Sequence, residues 1–499
     1  MSNSLMPEYI KKDLMRIGQT SIIVFSSKFL GAALSFLASL YFARTLGAEA
    51  FGVYGLVLTL VTWLKLGGTM GVGSAMTKRI SEDEEPGAFL SAGVLSVLVF
   101  GFVTSAAVVL AGDVVTAYVG AFNQYIALSV VWVVIGLLFI KLLYTVVIKA
   151  LEGERKVHIA ALLDPVKFGS RSVIQIGLVF AGFGLGGMLV GYAIGGVLIG
   201  VIGVAYVSVP FARPSGRHFR SLYEYARYSW LGSLKSRSFN DVDILVLGAF
   251  VSEALVGVYL AAWSIAKFLN LFATAIQSTL FPEISNLANK ERMNAVTGLI
   301  SDSLTFTGLV VIPGLIGGLL LGDRLLLIYG PEFVDGTAVF GLLLLAVLIY
   351  GYQKQLLNAL NAIDRPDISF RINAAFIIVN VCLNVVLILQ YGIVGAALAT
   401  VASAILGVTA AYVALNRLLA FDAPISEIAR QLLAAAIMGV VVYAVRAIGE
   451  ETTLATVNEV FVILLVCLGA GIYFFVLYVI SSAFRDVVRR NLPVAIPGI

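Results

Sequence analysis

Nine of the chain's 33 lysines and arginines fall inside long apolar runs: Lys28, Lys65, Lys141, Lys149, Arg171, Lys235, Arg237, Lys267 and Lys354. Each costs roughly 2.5–3.5 kcal/mol at the centre of a membrane helix, so it persists where it meets water, a partner or a charged ligand. Acids to neutralise them are few: Asp241 and Asp243 share one run, Asp302 opens another and Asp164 sits at an edge. The surplus of bases suits a phosphate or pyrophosphate, which arginine grips with a two-pronged fork and lysine with a mobile point charge. Lys149 lies near the end of its run, where its stem lets the ammonium reach the interface. Lys28, Lys65, Lys141, Arg171, Lys235, Arg237, Lys267 and Lys354 are therefore the candidate anion-binding residues. Asp241 and Asp243 form a D-x-D whose carboxylates point to different helix faces, either as counter-ions or as sites for a coupling H⁺ or Na⁺.

Other chemistry is poorly supported. His158 and His218 stand far apart, and Cys382 and Cys467 read as small core residues of apolar spans, so no metal centre or disulfide framework is expected. No phosphate-binding G-x-x-x-x-G-K-[ST] occurs, and no catalytic residues are assigned. The acidic run Glu82–Glu85 reads as a solvated loop.

The elements that must carry these residues follow from composition. Of 499 residues, 60% are hydrophobic and 12% charged, about half the charge of a soluble domain. The apolar runs are too long for barrel strands, so the fold class is an all-α polytopic membrane protein. Hydropathy gives fourteen transmembrane helices. With the N-terminus in the cytoplasm, 21 Lys and Arg fall on the cytoplasmic side and three (Arg44, Arg324, Arg446) outside, a positive-inside bias that also returns the C-terminus to the cytoplasm.

The sequence repeats. Gly52-Val53-Tyr54 returns as Gly257-Val258-Tyr259, Glu49-Ala50 as Glu253-Ala254, Ile80-Ser81 as Ile284-Ser285, Gly112-Asp113 as Gly322-Asp323, and Ala150-Leu151 as Ala359-Leu360. The order is kept and the offset drifts only from 204 to 210 residues. Two pseudo-symmetric six-helix lobes are expected, related by an axis along the membrane normal and enclosing a cavity. The expected organisation is an N-terminal lobe over 1–209, a cytoplasmic amphipathic linker over 210–228, a C-terminal lobe over 229–418, and two further helices with a tail over 419–499. Basic juxtamembrane stretches such as 210–228 meet anionic lipid rather than nucleic acid.

The stretch RTLGAEAFGVY at 44–54, DILVLG at 243–248 with VGVY at 256–259, the span number and the duplication together resemble the polysaccharide-export branch of the MATE-like (MOP) superfamily. That resemblance implies alternating-access transport of a polyprenyl-phosphate- or pyrophosphate-linked oligosaccharide, with lobe-facing cations holding the head group. It implies no catalysis and no cofactor beyond an ion gradient. The expected partners are the lipid-linked glycan, membrane lipid and glycan-assembly enzymes, with a monomer in the plasma membrane. The alternatives are a cation-coupled multidrug exporter of the same fold, which would need acidic cavity residues, and a lipid II flippase.

Overall fold

The computed structural model describes the backbone of residues 8–69, 71–82, 84–451 and 453–491. Side chains are described over the same stretches except at 8–29, Ala32, Gly67, Gly68, Asp164, 228–238, Asn240, 453–454 and 490–491. The chain forms two compact units, Met1–Arg237 and Ser238–Ile499. In the first, α1 (Glu8–Thr69) leads to α2 (Val72–Ser81), α3 (Pro86–Leu110) and the short α4 (Gly112–Tyr118) and α5 (Phe122–Tyr125). Then come α6 (Val130–Gly153), α7 (Val157–Leu178) and α8 (Gly184–Tyr206). Helix α9 (Gly216–Phe250) carries the chain from one unit into the other. The second unit continues with α10 (Glu253–Asn289), α11 (Met293–Leu327), α12 (Thr337–Ala362) and α13 (Pro366–Leu419). It ends with α14 (Ile425–Glu450), α15 (Asn458–Ile480) and α16 (Ser482–Asn491). No strand occurs among the described residues.

Ten described segments are long and apolar enough to cross a membrane, against the fourteen expected. Two of the ten, Val157–Tyr206 and Pro366–Leu419, each hold two helices parted at glycine. Cys382 and Cys467 do not sit in a core as expected; both are exposed. On a membrane-spanning helix such a face meets lipid, which accepts a small apolar thiol as readily as a core does.

The repeat is written in the backbone as well as in the letters. Gly184 (φ 51°, ψ −135°) and Gly392 (φ 57°, ψ −133°) part successive helices with nearly the same dihedrals, in a region open only to glycine. The helices before them also begin alike. Arg155 (φ 60°) and Asp364 (φ 57°) are left-handed residues closing α6 and α12. In each case the next N–H bonds back five residues, Lys156 to the Leu151 carbonyl and Arg365 to the Leu360 carbonyl, both at 2.9 Å. These are Schellman turns, and they reverse the chain sharply into α7 and α13.

The stretch 210–228, expected as an amphipathic linker, is helical from Gly216 and is tied to the start of α3. Helix α9 is continuous through it, 35 residues long from Gly216. At its start the His218 ring reaches back to the Ser215 backbone, the half of a capping box that glutamate usually supplies. The Ser215 N–H donates to His218 Nδ1 at 2.9 Å, which leaves the proton on Nε2 to reach Glu85 at 2.7 Å. Arg217 also donates to Glu85, and the Ala212 N–H bonds the Gly87 carbonyl at 3.3 Å. Glu85, at the mouth of α3, is exposed, as a solvated loop acid should be, and is also paired. The His218 hydrogen bond, then that of Arg217, holds its carboxyl below the usual glutamate range. A depressed carboxyl stabilises above its unfolded value and loses that contribution as pH falls through the folded one. Hydrogen exchange at residues 215–220, corrected for intrinsic rate, should be slow at pH 7 and accelerate below about pH 4. Glu85→Gln should show the fast exchange already at pH 7; unchanged protection in that variant would remove the clasp.

In the second unit, α14 and α15 pack on α11 and are fastened at both ends. At one end Arg446 donates to both Asp323 oxygens and to Glu450, and Arg324 donates to Glu450 at 2.9 Å. At the other, Ser481 donates to Glu427 at 2.7 Å.

Candidate functional site

In the first unit glycine decides what can meet. Helix α8 carries Gly187, Gly191 and Gly195 at four-residue spacing on the side toward α7. A Cβ on Gly191 would lie 2.7–2.8 Å from Gln175, and one on Gly195 would lie 2.9 Å from the Arg171 Cα. A second row, Gly196, Gly200 and Gly203, faces Ile140, Leu143 and Val147 of α6. Small residues of this kind let membrane helices pack at close range. As a result α8 sits tight against both neighbours, and its Tyr192 comes up beside one cation from each. The Arg171 guanidinium carbon is 4.9 Å from the Tyr192 ring centre and the Lys141 Nζ is 5.5 Å from it.

Further aromatic faces surround the bases. Lys167 Nζ lies 3.9 Å from the Tyr144 ring centre and 4.7 Å from that of Phe168, and Arg171 lies 5.4 Å from Phe168. Such contacts supply about 0.5–2 kcal/mol each according to exposure. Lys141 donates to the Thr62 hydroxyl and the Leu58 carbonyl of α1. Gln175 donates to the Tyr54 hydroxyl at 2.9 Å and the Met188 carbonyl at 2.6 Å. Arg171 Nε is buried and has no hydrogen-bond partner among the described residues. Among those residues no carboxylate pairs with Lys141 or Arg171. Gly195→Leu should force α7 and α8 apart and cost about 3 kcal/mol or more by overpacking. Its thermal midpoint should fall far more than that of Gly177→Leu on α7, where a Cβ meets nothing within 4 Å.

The second unit carries chemistry of the opposite sign. Asp243 is 2% exposed and accepts three hydrogen bonds: from Tyr259 at 2.6 Å, Thr400 at 2.7 Å and Asn384 at 2.8 Å. Asp241, on a different face of α9, lies 3.9 Å from Lys267, whose Nζ is 5.1 Å from the Trp263 ring centre. Phe239 stacks flat on Tyr350 beside them, centroids 3.5 Å apart. The two clusters occupy matching places in the repeat. Tyr54 and Tyr259 share the G-V-Y motif; Arg171 and Gln175 correspond to Asn380 and Asn384, 209 residues on; Tyr192 corresponds to Thr400, 208 residues on.

The sequence-based candidates thus divide. Lys141 and Arg171 come together. Lys267 is not an isolated cation, because Asp241 stands beside it. Asp243 is held by three neutral hydrogen-bond donors. Lys354 donates to Thr274 at 2.7 Å, Lys65 is half-buried on α1, and Lys149 pairs with Glu152 at 2.6 Å. The Lys28, Lys235 and Arg237 side chains lie outside the described residues. Sequence reasoning missed Lys167, which it counted at a span edge, and Tyr192. The signal for Tyr192 was its place inside the four-spaced glycine row.

An all-helical membrane protein with a cationic, aromatic-lined cluster in one repeat and a buried acid in the other is built like a transporter for a charged solute. The chain belongs to the polysaccharide biosynthesis protein family, whose model matches residues 41–336. It is 32% identical over 489 residues to the probable flippase AglR of Haloferax volcanii, covering 96% of this chain and 99% of that one. The probable low-salt glycan biosynthesis flippase Agl15 of the same organism is 29% identical over 78% of this chain and 81% of that one. In fold it is similar to the lipid II flippase MurJ in an inward closed conformation, with a TM-score of 0.74 at 18% identity over 94% of this chain and 100% of that one. It is also similar to an inward-facing MATE family multidrug resistance transporter of the MOP superfamily, with a TM-score of 0.63 at 16% identity over 78% and 95% of the two chains.

Proposed function

We propose that this chain is a flippase carrying a polyprenyl-phosphate- or pyrophosphate-linked oligosaccharide from the cytoplasmic to the outer leaflet by alternating access, for synthesis of a surface polysaccharide or glycoprotein glycan. The observation that carries this reading is the group of Lys141, Arg171 and Lys167 among aromatic rings, with Arg171 Nε buried and unspent. A phosphate oxygen satisfies that donor with a charge-assisted hydrogen bond, and the neighbouring ammonium groups share the rest of its charge. Both Haloferax volcanii relatives bear flippase names, one of them tied to glycan biosynthesis.

In this reading the termini are cytoplasmic, the protein works as a monomer in the plasma membrane, and glycan-assembly enzymes supply the substrate. Asp241 and Asp243 are the places where H⁺ or Na⁺ would couple. The hydroxyls of Tyr259 and Thr400 can turn from donating to Asp243 to presenting lone pairs to a hard cation, which prefers oxygen ligands. Purified protein in liposomes, given a labelled polyprenyl-phosphate-linked sugar on one side, should move it to the other. Failure with mono- and pyrophosphate carriers alike, under imposed H⁺ and Na⁺ gradients, would defeat the proposal.

A further inference from the structure

Two described lysines stand deep in the spanning helices of the second unit, and they are served differently. Lys267 has Asp241 at 3.9 Å. Lys354 has a single neutral partner: its Nζ donates to the Thr274 hydroxyl of α10 at 2.7 Å, and no carboxylate pairs with it among the described residues. That hydroxyl gives its own proton to the Asn270 carbonyl at 2.8 Å. An ammonium has three N–H groups, so two remain to be used.

Lys354 does not escape to a membrane surface. It lies on α12, eight residues short of the end at Ala362, which is about 12 Å by helical rise. Side chains on a helix lean toward its N-terminus, so this stem leads away from the nearer end. The residue is nonetheless only half-buried. The face of α10 that meets it is polar as well. Asn270, Thr274 and Ser278 follow at four-residue spacing, and Thr274 and Ser278 are exposed. Acyl chains offer nothing to an exposed hydroxyl or a half-buried ammonium, so this face meets water or a polar ligand. Ser278 donates to the Ala275 carbonyl at 2.9 Å, and like Thr274 it can turn its proton toward an incoming oxygen.

We propose that Lys354, Thr274 and Ser278 form an oxyanion site in the second unit. It takes an acidic group of the transported substrate, either a carboxylate on a sugar or the head-group phosphate. An ammonium with unused donors repels a cation, and a neutral sugar leaves its charge unmatched; an oxyanion supplies both the acceptors and the charge. This role rests on the flippase reading and adds to it a second point of attachment, apart from Lys141 and Arg171.

A polyprenyl monophosphate bearing glucose or glucuronate is titrated into the full-length chain in nanodiscs, and the thermal midpoint is followed, because a ligand that binds the folded state raises it. The glucuronate lipid should bind about tenfold more tightly than the glucose lipid, the usual size of one charge-assisted hydrogen bond. That advantage should vanish in Lys354→Gln and survive in Lys354→Arg. Thr274→Val, which removes the hydroxyl steadying the ammonium, should lose part of it, so the site can be judged on either helix. The Lys141→Gln, Arg171→Gln double variant should weaken both lipids and keep the advantage. Equal binding of the two lipids to the wild type, with an equal loss in Lys354→Gln, identifies the phosphate as the anion and supports the site. Affinities for both lipids that are unchanged in Lys354→Gln and Thr274→Val would overturn it and leave the flippase reading standing. No response of the wild type to either lipid would overturn both.

Discussion

Replacing Lys141 and Arg171 together by glutamine is expected to cut translocation of a lipid-linked sugar roughly 100-fold, two charge-assisted hydrogen bonds' worth, while the folded protein becomes no less stable. The two halves of that expectation come from one observation. No carboxylate pairs with either base among the described residues, so neutralising them strands no buried anion; Arg171 Nε spends nothing on the protein. Removing a charge from a membrane interior relieves about 2.5–3.5 kcal/mol on insertion scales, which offsets the aromatic contacts and the Thr62 and Leu58 hydrogen bonds lost with the two bases. A cation kept for structure would show the reverse, with stability falling alongside activity. The measurement is a paired one, thermal midpoint in detergent and initial flipping rate in liposomes on the same preparation. A variant that flips at the normal rate, or that unfolds, would count against the site.

The second large effect falls on the acid of the other unit. Asp243→Ala takes the acceptor from three donors, but they do not suffer equally. Thr400 can turn to the Ala396 carbonyl at 3.1 Å and Asn384 to the Asn380 carbonyl at 2.9 Å. The Tyr259 hydroxyl, buried beside it, is left with only the Thr400 hydroxyl to turn to. Three weakened hydrogen bonds come to about 1–3 kcal/mol. Asp243→Asn keeps a carbonyl for Tyr259 and should cost less than half as much. If Asp243 also couples a cation, the Asn variant should stay folded and lose its dependence on the H⁺ or Na⁺ gradient. Equal stability of the Ala and wild-type proteins would show that the three hydrogen bonds contribute nothing.

The sequence carried the helical class and the duplication plainly, because both live in strong, local signals. Apolar runs of membrane length admit few folds, and G-V-Y recurring ahead of similar runs marks the second copy at α10. Two glycine breaks were legible as gaps between apolar runs: Gly392, and Gly47 (φ 84°, ψ 171°), which interrupts α1 between the runs ending near 43 and beginning near 51. Helix α9 was missed as one piece because hydropathy cuts its basic first half from its apolar second half, although Ser215-x-x-His218 signals a helix start there. The candidate site was legible only in its charges. Lys141 and Arg171 stood out against apolar surroundings, whereas their meeting depends on how closely α8 approaches α6 and α7. The donors to Asp243 come from α10 and from both limbs of α13, and no spacing along the chain reveals that convergence. Lys267 illustrates the limit of counting charges, since its partner Asp241 lies on the preceding helix.

Corresponding addresses in the two copies have taken on contrary electrical duties. Where one copy places Arg171 and Gln175 near Tyr192, the other places Asn380 and Asn384 near Thr400, around an added acid. An ancestor made of identical halves would have had no built-in distinction between handling anions and handling cations. Divergence at a few matched positions gives the chain that polarity without altering the turns at Gly184 and Gly392, so exchanging residues between these addresses should reassign the duties while leaving the helices where they are.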